Sequence, residues 1–427
     1  MAEQACRLAE LLPGAGDLTV TGVSLDSRRV RPGELYAALP GERTHGARFA
    51  AEAIGRGAVA VLTDAAGAGL VGDGVPVFVV ADPRAALAEV AAAAHGRPAA
   101  GMRMFAVTGT NGKTSTVFLL EAALAALGET VGTLGTIGFR LGGATIETER
   151  STVTTPEAPD LQDLLARLRA AGATSVAMEV SSHALAQHRV GGTVFDVAGF
   201  TQFGRDHLDY HRDLEDYFAA KARLFLDGRS RVCVVNTDQE WGRRLAALIR
   251  DQGTRLYTTG TAAEADFRLL EAVPDRSRRT AVRVATPVGE LAFALGMPGS
   301  FNVANAITAA AMVHAAGLDV RRCVAGFAGA AVPGRMQRVD LGAGAVFDPV
   351  RGGVVCGTCA ARSTGLGVRP LDDDAATVSM TAWDPIRSPR SARTMLSPSR
   401  TCRPASSLAA SSRAWSSATS AAPSSQR

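Results

Sequence analysis

Residues 105–116, "FAVTGTNGKTST", decide how the rest of the chain is read. A short apolar run (Phe105, Ala106, Val107) breaks into glycine, threonine and asparagine, then lysine and three hydroxyl residues. Gly109 and Gly112 admit backbone torsions closed to other residues, so several N–H groups of Gly109, Thr110, Asn111 and Gly112 can turn inward on one anion. Lys113 adds a mobile positive charge for terminal phosphates, and Thr114 or Ser115 offers a hydroxyl to Mg²⁺. Beyond the loop, Val117, Leu120, Leu124 and Leu127 recur at helical spacing, and Gly128 supplies a stop. A strand, a glycine loop and a helix N-terminus make an anion-binding arrangement. Two residues separate the glycines where the P-loop pattern has four, so the element is P-loop-type rather than a strict match.

Working outward, the flanking segments predict an α/β protein. From about residue 98 to 333, "TSVAMEV", "FDVAGF" and "RVCVVN" read as buried strands alternating with helices, which argues a mostly parallel sheet covered on both faces. Residues 1–97 read as a smaller α/β domain. "GAVAVLTD" and "VPVFVVAD" supply its strands, and a helix runs from Pro83 to Gly96. The expected division is 1–97, 98–333 and 334–427. Regular alternation stops after about Asp340, and the Ser-, Ala-, Arg- and Pro-rich end has too little hydrophobic periodicity to offset the cost of ordering. Little fixed structure is expected there.

Composition excludes several classes. A net charge of +4 over 427 residues points to no nucleic-acid partner and no membrane surface. No apolar run approaches the ~20 residues needed to span a bilayer, and the N-terminus lacks a signal-peptide core, so a cytoplasmic location is expected. Hydrophobic residues make up 47% and aromatics 5%, which predicts aliphatic, alanine-rich cores. Of the six cysteines, Cys233 sits in an apolar run and reads as a buried thiol. Cys356 and Cys359 form a C-x-x-C with no second pair or histidines at ligand spacing, which argues against a zinc site. Nothing in the sequence fixes an oligomeric state.

Three further clusters carry candidate chemistry. In "MEVSSHALAQHRV", Glu179 ends an apolar strand, which suits either a Mg²⁺ ligand or a turn capped by Ser181 or Ser182. In "DHLDYHRDLEDYFAAKARLF", a helix is predicted from Leu214, with Tyr217, Phe218, Leu224 and Phe225 on one stripe. Lys221 lies on that stripe. Burial there would lower its pKa and expose an amine able to take up CO₂ as a carbamate; the alternative is a snorkelling stem. His207 is a candidate ligand, whereas His211 is expected to cap or face solvent. In "GSFNVANA", Asn302 suits a nucleobase edge or a helix N-cap.

Together with "SLDSRRVRPGELYAALPG", "STVTTPE" and "PGRMQRVD", these segments resemble the Mur ligases, ATP-dependent enzymes that build the peptide of the bacterial wall precursor. The resemblance runs in family order over roughly four-fifths of the chain. It implies ligation of a diamino acid, meso-diaminopimelate or else L-lysine, to the D-Glu of UDP-MurNAc-L-Ala-D-Glu through an acyl phosphate. It implies ATP and Mg²⁺ as cofactors and a CO₂-derived carbamate on Lys221, with Lys113 at the phosphates. Thr114, Glu179, His207 and Lys221 would serve the metal and Asn302 the adenine. Leu25 and Ser27 would meet the uridine end, and Thr154, Thr155, Ser181, Gln187 and Arg189 the sugar–peptide portion. Gln202 stands where the family has asparagine. The Tyr-Ala-His strand and the Asp-Asn-Pro-Arg motif that the family carries after "PGRMQRVD" do not occur in residues 341–427. A chain that binds both ligands without ligating them is therefore a second expectation, and a folate polyglutamate ligase a third.

Overall fold

The computed structural model describes residues 5–41, 43–146, 154–275 and 279–333, together with the backbone of three short strands at 345–348, 353–356 and 369–370. In the N-terminal part, strands Gly22–Ser24, Glu34–Ala37, Ala60–Thr63 and Val77–Val79 pair in parallel, in chain order. All of Ala60–Thr63 is buried, as a parallel strand covered on both faces requires. The helix Pro83–Ala94 packs over this sheet. Asp82 caps it by accepting from the Ala85 N–H at 3.0 Å, and Pro83 occupies the first turn, where its missing N–H costs nothing.

The larger sheet has eleven strands. Its parallel core runs, in spatial order, Val131–Gly135, Ser175–Glu179, Arg103–Thr108, Phe195–Phe200, Ser230–Asn236 and Arg255–Gly260. Along Arg103–Thr108, Phe105 and Val107 enter one core while Met104 and Ala106 enter the other, the alternation a pleated strand imposes. Helices Lys113–Ala125 and Ser300–Ala315 cover the first face. Helices Ala158–Ala170, Leu214–Leu226 and Glu240–Asp251 cover the second. Truncating a fully buried ring such as Phe105 to alanine would cost about 3–5 kcal/mol.

Both flanks of this sheet are antiparallel, a feature the strand–helix alternation does not announce. Gly138–Leu141 and Ala144–Ile146 form a hairpin at one edge. Phe267–Pro274, Thr280–Thr286 and Gly289–Leu295 form a meander at the other. The placement of Arg103–Thr108 matters most. The chain leaves it for Val131–Gly135, returns to Ser175–Glu179 between them, then crosses to Phe195–Phe200 on the opposite side. That reversal is the switch point of an open α/β sheet, where ligands gather at the strands' carboxyl ends.

The expected boundary near residue 97 falls beside the turn Pro98–Gly101, between the two sheets. Gly191 and Gly192 press against the Pro83–Ala94 helix; a Cβ on either would lie 2.5 Å from the Cβ of Ala88 or Ala92. Ion pairs Asp82–His188 (3.1 Å) and Arg84–Glu157 (3.3 Å) flank the contact. Cys6, Cys233 and Cys323 are buried free thiols. After residue 340, Ala345–Asp348 pairs antiparallel with Gly353–Cys356 and Arg369–Pro370. The rest of the stretch expected to lack regular structure, and the side chains of Cys356 and Cys359, lie outside the described residues. Among the described residues no helix is long and apolar enough to cross a membrane.

Candidate functional site

The site is built on the loop between Arg103–Thr108 and Lys113–Ala125. Gly112 caps the helix with φ +88°, and a Cβ there would fall 2.5 Å from Asn305 Oδ1. At Gly109, φ is +151°, and a Cβ would fall 2.1 Å from Thr201 Oγ1. Only glycine fits either place. The loop is pinned from the neighbouring strand: Thr201 Oγ1 donates to the Asn111 carbonyl at 2.6 Å, and the Thr110 N–H donates to the Gln202 carbonyl at 2.7 Å.

Two lysines converge on this loop. Lys113 Nζ donates to the Gly109 and Thr110 carbonyls at 2.9 and 3.0 Å. Lys221 Nζ reaches the same Gly109 carbonyl at 3.0 Å and lies 4.5 Å above the Tyr217 ring. Lys221 is only 1% exposed, so its stem does not snorkel. Burial, and then the Lys113 charge, push its pKa well below the ordinary lysine value, against a smaller pull from Asp206. Tyr217, buried under it, meets Thr110 Oγ1 at 3.3 Å, and burial pushes its phenol up to about 12.

Glu179 lies at the carboxyl end of the adjacent strand and is 1% exposed. Its carboxylate accepts from Thr114 Oγ1 (2.9 Å), the Thr136 N–H (2.9 Å) and Thr136 Oγ1 (3.1 Å). Thr136 Oγ1 in turn meets Thr154 Oγ1 at 3.2 Å. Thr155 Oγ1 donates to the Glu179 carbonyl at 3.0 Å and accepts from the Ser181 N–H at 3.1 Å. Ser181 caps the helix Ser182–Ala186, so a capped turn and a placed carboxylate occur together. Arg189 donates to the Thr155 carbonyl at 2.9 Å, to Gln187 Oε1 at 2.7 Å, and pairs with Glu157 at 2.9 Å. Gln187 reaches Tyr210.

His207 belongs to an aromatic cluster. Its ring is 4.9 Å from His183 and 5.9 Å from Tyr217, and Asp206 lies 3.5 Å from its Nε2. His211 departs from expectation: it is 3% exposed rather than solvent-facing. Its Nε2 meets Ser182 Oγ at 2.9 Å, and the turn before Leu214 tucks its ring 5.1 Å from Tyr217. Burial lowers its pKa, against an opposing pull from the Asp216 carboxylate. His183, which the sequence reading passed over, is likewise lowered by burial and then by His207. Only its place in "SSHAL", beside Glu179, could have marked it.

Asn302 is not the N-cap, which is Gly299. It is buried in the first turn, donating from Nδ2 to the Pro298 carbonyl at 2.7 Å and accepting at Oδ1 from Asn305 at 3.3 Å. Asn305, also missed, is the residue of that helix that abuts Gly112. Ser115 is buried within the loop helix. Leu25 and Ser27 stand apart, after the Gly22–Ser24 strand; Ser27 Oγ donates to Glu52 at 2.7 Å. Thus one network joins the loop to Thr114, Glu179, Thr154, Thr155, Ser181, Gln187 and Arg189, with Lys113 and Lys221 on the Gly109 carbonyl. Among the described residues, no three His, Cys, Asp or Glu side chains are placed to hold a metal by themselves.

Residues 107–313 match the Mur ligase middle domain, and residues 19–95 match the Mur ligase family catalytic domain. The chain is 46% identical over 350 residues to the UDP-N-acetylmuramoyl-L-alanyl-D-glutamate–2,6-diaminopimelate ligase of Streptomyces coelicolor, covering 80% of this chain and 67% of that protein. The ligase of the same name from Streptomyces avermitilis is 45% identical, covering 76% and 64%. A solved structure of a ligase so named superposes with a TM-score of 0.67 at 28% identity, covering 75% of this chain and 65% of that one. This chain therefore spans about two thirds of the length of these relatives.

Proposed function

The chain belongs to the Mur ligase family, and on that premise we propose that it binds ATP and UDP-MurNAc-L-Ala-D-Glu for amide-bond formation at the D-Glu side chain. The observation that carries this reading is the convergence of Lys113 and Lys221 on the Gly109 carbonyl of a glycine loop. Lys113 brings positive charge where a triphosphate would bring negative charge, and Lys221 beside it is the buried amine that a carbamate requires. In the reaction, a carboxylate oxygen of D-Glu bonds to the γ-phosphorus while the bond to ADP breaks. The amine of the diamino acid then attacks the acyl carbon, phosphate leaves, and the amine gives up a proton. Meso-diaminopimelate is the favoured amine and L-lysine the alternative.

The protein's share is positioning and charge neutralisation. Lys113 and the N–H groups of Gly109 to Ser115 hold the β- and γ-phosphates, and Asn302 orders the turn at the adenine end. Thr154, Thr155, Ser181, Gln187 and Arg189 hold the sugar–peptide portion, and Leu25 and Ser27 the uridine. Mg²⁺ favours hard oxygen ligands, which suits the Thr114 hydroxyl against the Glu179 carboxylate. His207 and a carbamate on Lys221 would complete the set, and the ion's contribution is to neutralise phosphate charge. A buried amine biased toward its neutral form fits carbamate formation.

Residues 341–427 lack both motifs that the family uses around the incoming amine, so binding of ATP and of UDP-MurNAc-L-Ala-D-Glu is assigned to this chain, with tripeptide formed poorly or not at all. Calorimetry with ATP and with UDP-MurNAc-L-Ala-D-Glu, followed by product assays with diaminopimelate and lysine, tests the reading. Both ligands should bind. Failure of ATP to bind would sink the reading. Tripeptide formation at an ordinary enzymatic rate, about 1–10³ per second, would show the chain to be a complete ligase.

A further inference from the structure

We propose that His188 is a positioning residue for UDP-MurNAc-L-Ala-D-Glu. Its unprotonated ring nitrogen clips the turn that carries Gln187 and Arg189 to Arg223, and protonation of the ring releases the clip. This rests on the proposed precursor binding and adds a pH dependence to it.

The turn is built on an unusual residue. His188 follows the helix Ser182–Ala186 and its cap Gln187 with φ +54°, the left-handed place where glycine is usual. The Arg189 N–H closes the turn onto the Ala184 carbonyl at 2.8 Å. A non-glycine residue in that conformation is strained, and its surroundings must hold it there. Two groups do so. His188 Nε2 lies 3.1 Å from Arg223 Nη2, on the helix Leu214–Leu226, and 3.1 Å from Asp82 Oδ2, at the cap of the helix Pro83–Ala94.

One nitrogen cannot serve both. Without a proton it accepts from Arg223; with one it donates to Asp82. The two neighbours need the ring unequally. Asp82 is 51% exposed, and its other oxygen caps the helix whatever His188 does. Arg223 is 31% exposed, and its Nη1 and Nε are already committed to the Leu185 carbonyl (3.1 Å) and Asp227 (3.0 Å). His188 takes the remaining Nη2, so Arg223 grips the end of the Ser182–Ala186 helix and the turn beyond it together.

The charged groups facing the ring from the elements around it are Asp82, Arg223, Arg229 and Asp227. Burial is the largest influence and lowers the pKa of His188 from the ordinary 6.5; Asp82 opposes it, Arg223 and Arg229 add to it, and Asp227 opposes. The ring is therefore uncharged at pH 7, the state to which Arg223 can donate. As pH falls past the lowered pKa, an imidazolium faces a guanidinium and the turn loosens.

The experiment titrates the full chain by calorimetry from pH 5 to 8, with UDP-MurNAc-L-Ala-D-Glu and separately with ATP. Wild type, His188→Asn and Asp82→Asn are compared. Asparagine tolerates the left-handed conformation, does not titrate and also serves as an N-cap, so both variants should fold. Wild-type affinity for the precursor should drop about tenfold in acid, the equivalent of one pKa unit between free and bound protein. His188→Asn should bind the precursor more weakly at pH 8 and lack that drop; other ionisable groups contribute alike to both proteins. In Asp82→Asn, where the carboxylate that favours the proton is gone, the drop should move to lower pH. ATP should show one profile in all three. Identical precursor profiles in wild type and His188→Asn overturn the role, as does an unmoved drop in Asp82→Asn. An ATP profile that changes with the precursor profile also overturns it, because the ring would then only support the fold. Wild type that binds ATP but no precursor at pH 8 would overturn the precursor reading and this role with it, a result visible in that titration alone.

Discussion

At the scale of single residues, Lys221 is the group whose chemistry its surroundings most alter. It is buried on the Gly109 carbonyl beside a second lysine, and burial is the larger cause of its lowered pKa. The unfolded chain then binds more protons at this position than the folded one, so stability rises with pH. The penalty is complete below the folded-state pKa and is relieved as pH climbs toward the ordinary value of 10.5. Lys221→Met should therefore melt higher than wild type in CO₂-free buffer at low pH, with the advantage shrinking as pH rises toward 10.5. A melting series across pH checks this, and a constant difference would contradict it. The same amine should report its carbamate directly. With ¹³C-labelled bicarbonate, wild type should show a carbamate carbonyl resonance that Lys221→Ala lacks. That variant should lose, by at least about 100-fold, whatever ATP hydrolysis UDP-MurNAc-L-Ala-D-Glu elicits from wild type, the usual scale for removing one charge-stabilising group, and bicarbonate should not restore it. An identical spectrum from both proteins would remove the carbamate from the mechanism.

At the scale of elements, the phosphate loop depends on glycine for two separable reasons, and a matched pair of variants divides them. Gly112 and Gly128 both have φ +88°, but a Cβ on Gly112 meets Asn305 at 2.5 Å, while one on Gly128 meets nothing within 4 Å. Gly128→Ala should cost only the left-handed backbone penalty, about 1–2 kcal/mol, and leave ATP affinity alone. Gly112→Ala adds the displacement of Asn305 and should weaken ATP at least about tenfold, the equivalent of 1.4 kcal/mol. Calorimetry and thermal melts on both variants test the contrast; equal ATP affinities would refute it. The loop and its helix were legible because glycine, lysine and hydroxyl residues announce themselves at fixed spacing. So was the buried stripe that carries Lys221, because Tyr217, Leu224 and Phe225 recur at helical period. The antiparallel flanks were not, since hairpins such as Gly138–Ile146 and the meander at 267–295 depend on pairing partners rather than on a local pattern. Asn305 and the burial of His211 escaped for a similar reason: what each touches lies far away in sequence, on Gly112 and Ser182.

At the scale of the molecule, a reaction between two bound ligands requires the part carrying Leu25 and Ser27 to be held in register with the part carrying the phosphate loop. The contact that does this is made of small residues. Gly192 has φ +69°, and a Cβ on it would lie 2.5 Å from the Ala92 Cβ and 2.9 Å from the Ala88 carbonyl. Two backbones that approach so closely leave no side chain able to yield, so added bulk must push the Pro83–Ala94 helix away. The flanking ion pairs would not compensate: Asp82 is half exposed in its pair with His188, and such pairs contribute about 0–1 kcal/mol. Arg84–Glu157 would be strained by the same displacement, and Glu157 also holds Arg189 at 2.9 Å, which ties this contact to the sugar–peptide residues. Gly192→Val should accordingly weaken UDP-MurNAc-L-Ala-D-Glu by tenfold or more, about 1.4 kcal/mol, because that ligand would span both parts. ATP, held by the loop alone, should bind as in wild type. Titrating the variant with each ligand separately decides the matter. Loss of both affinities would indicate general unfolding, and retention of both would mean that the small-residue contact does not set the distance between the two half-sites.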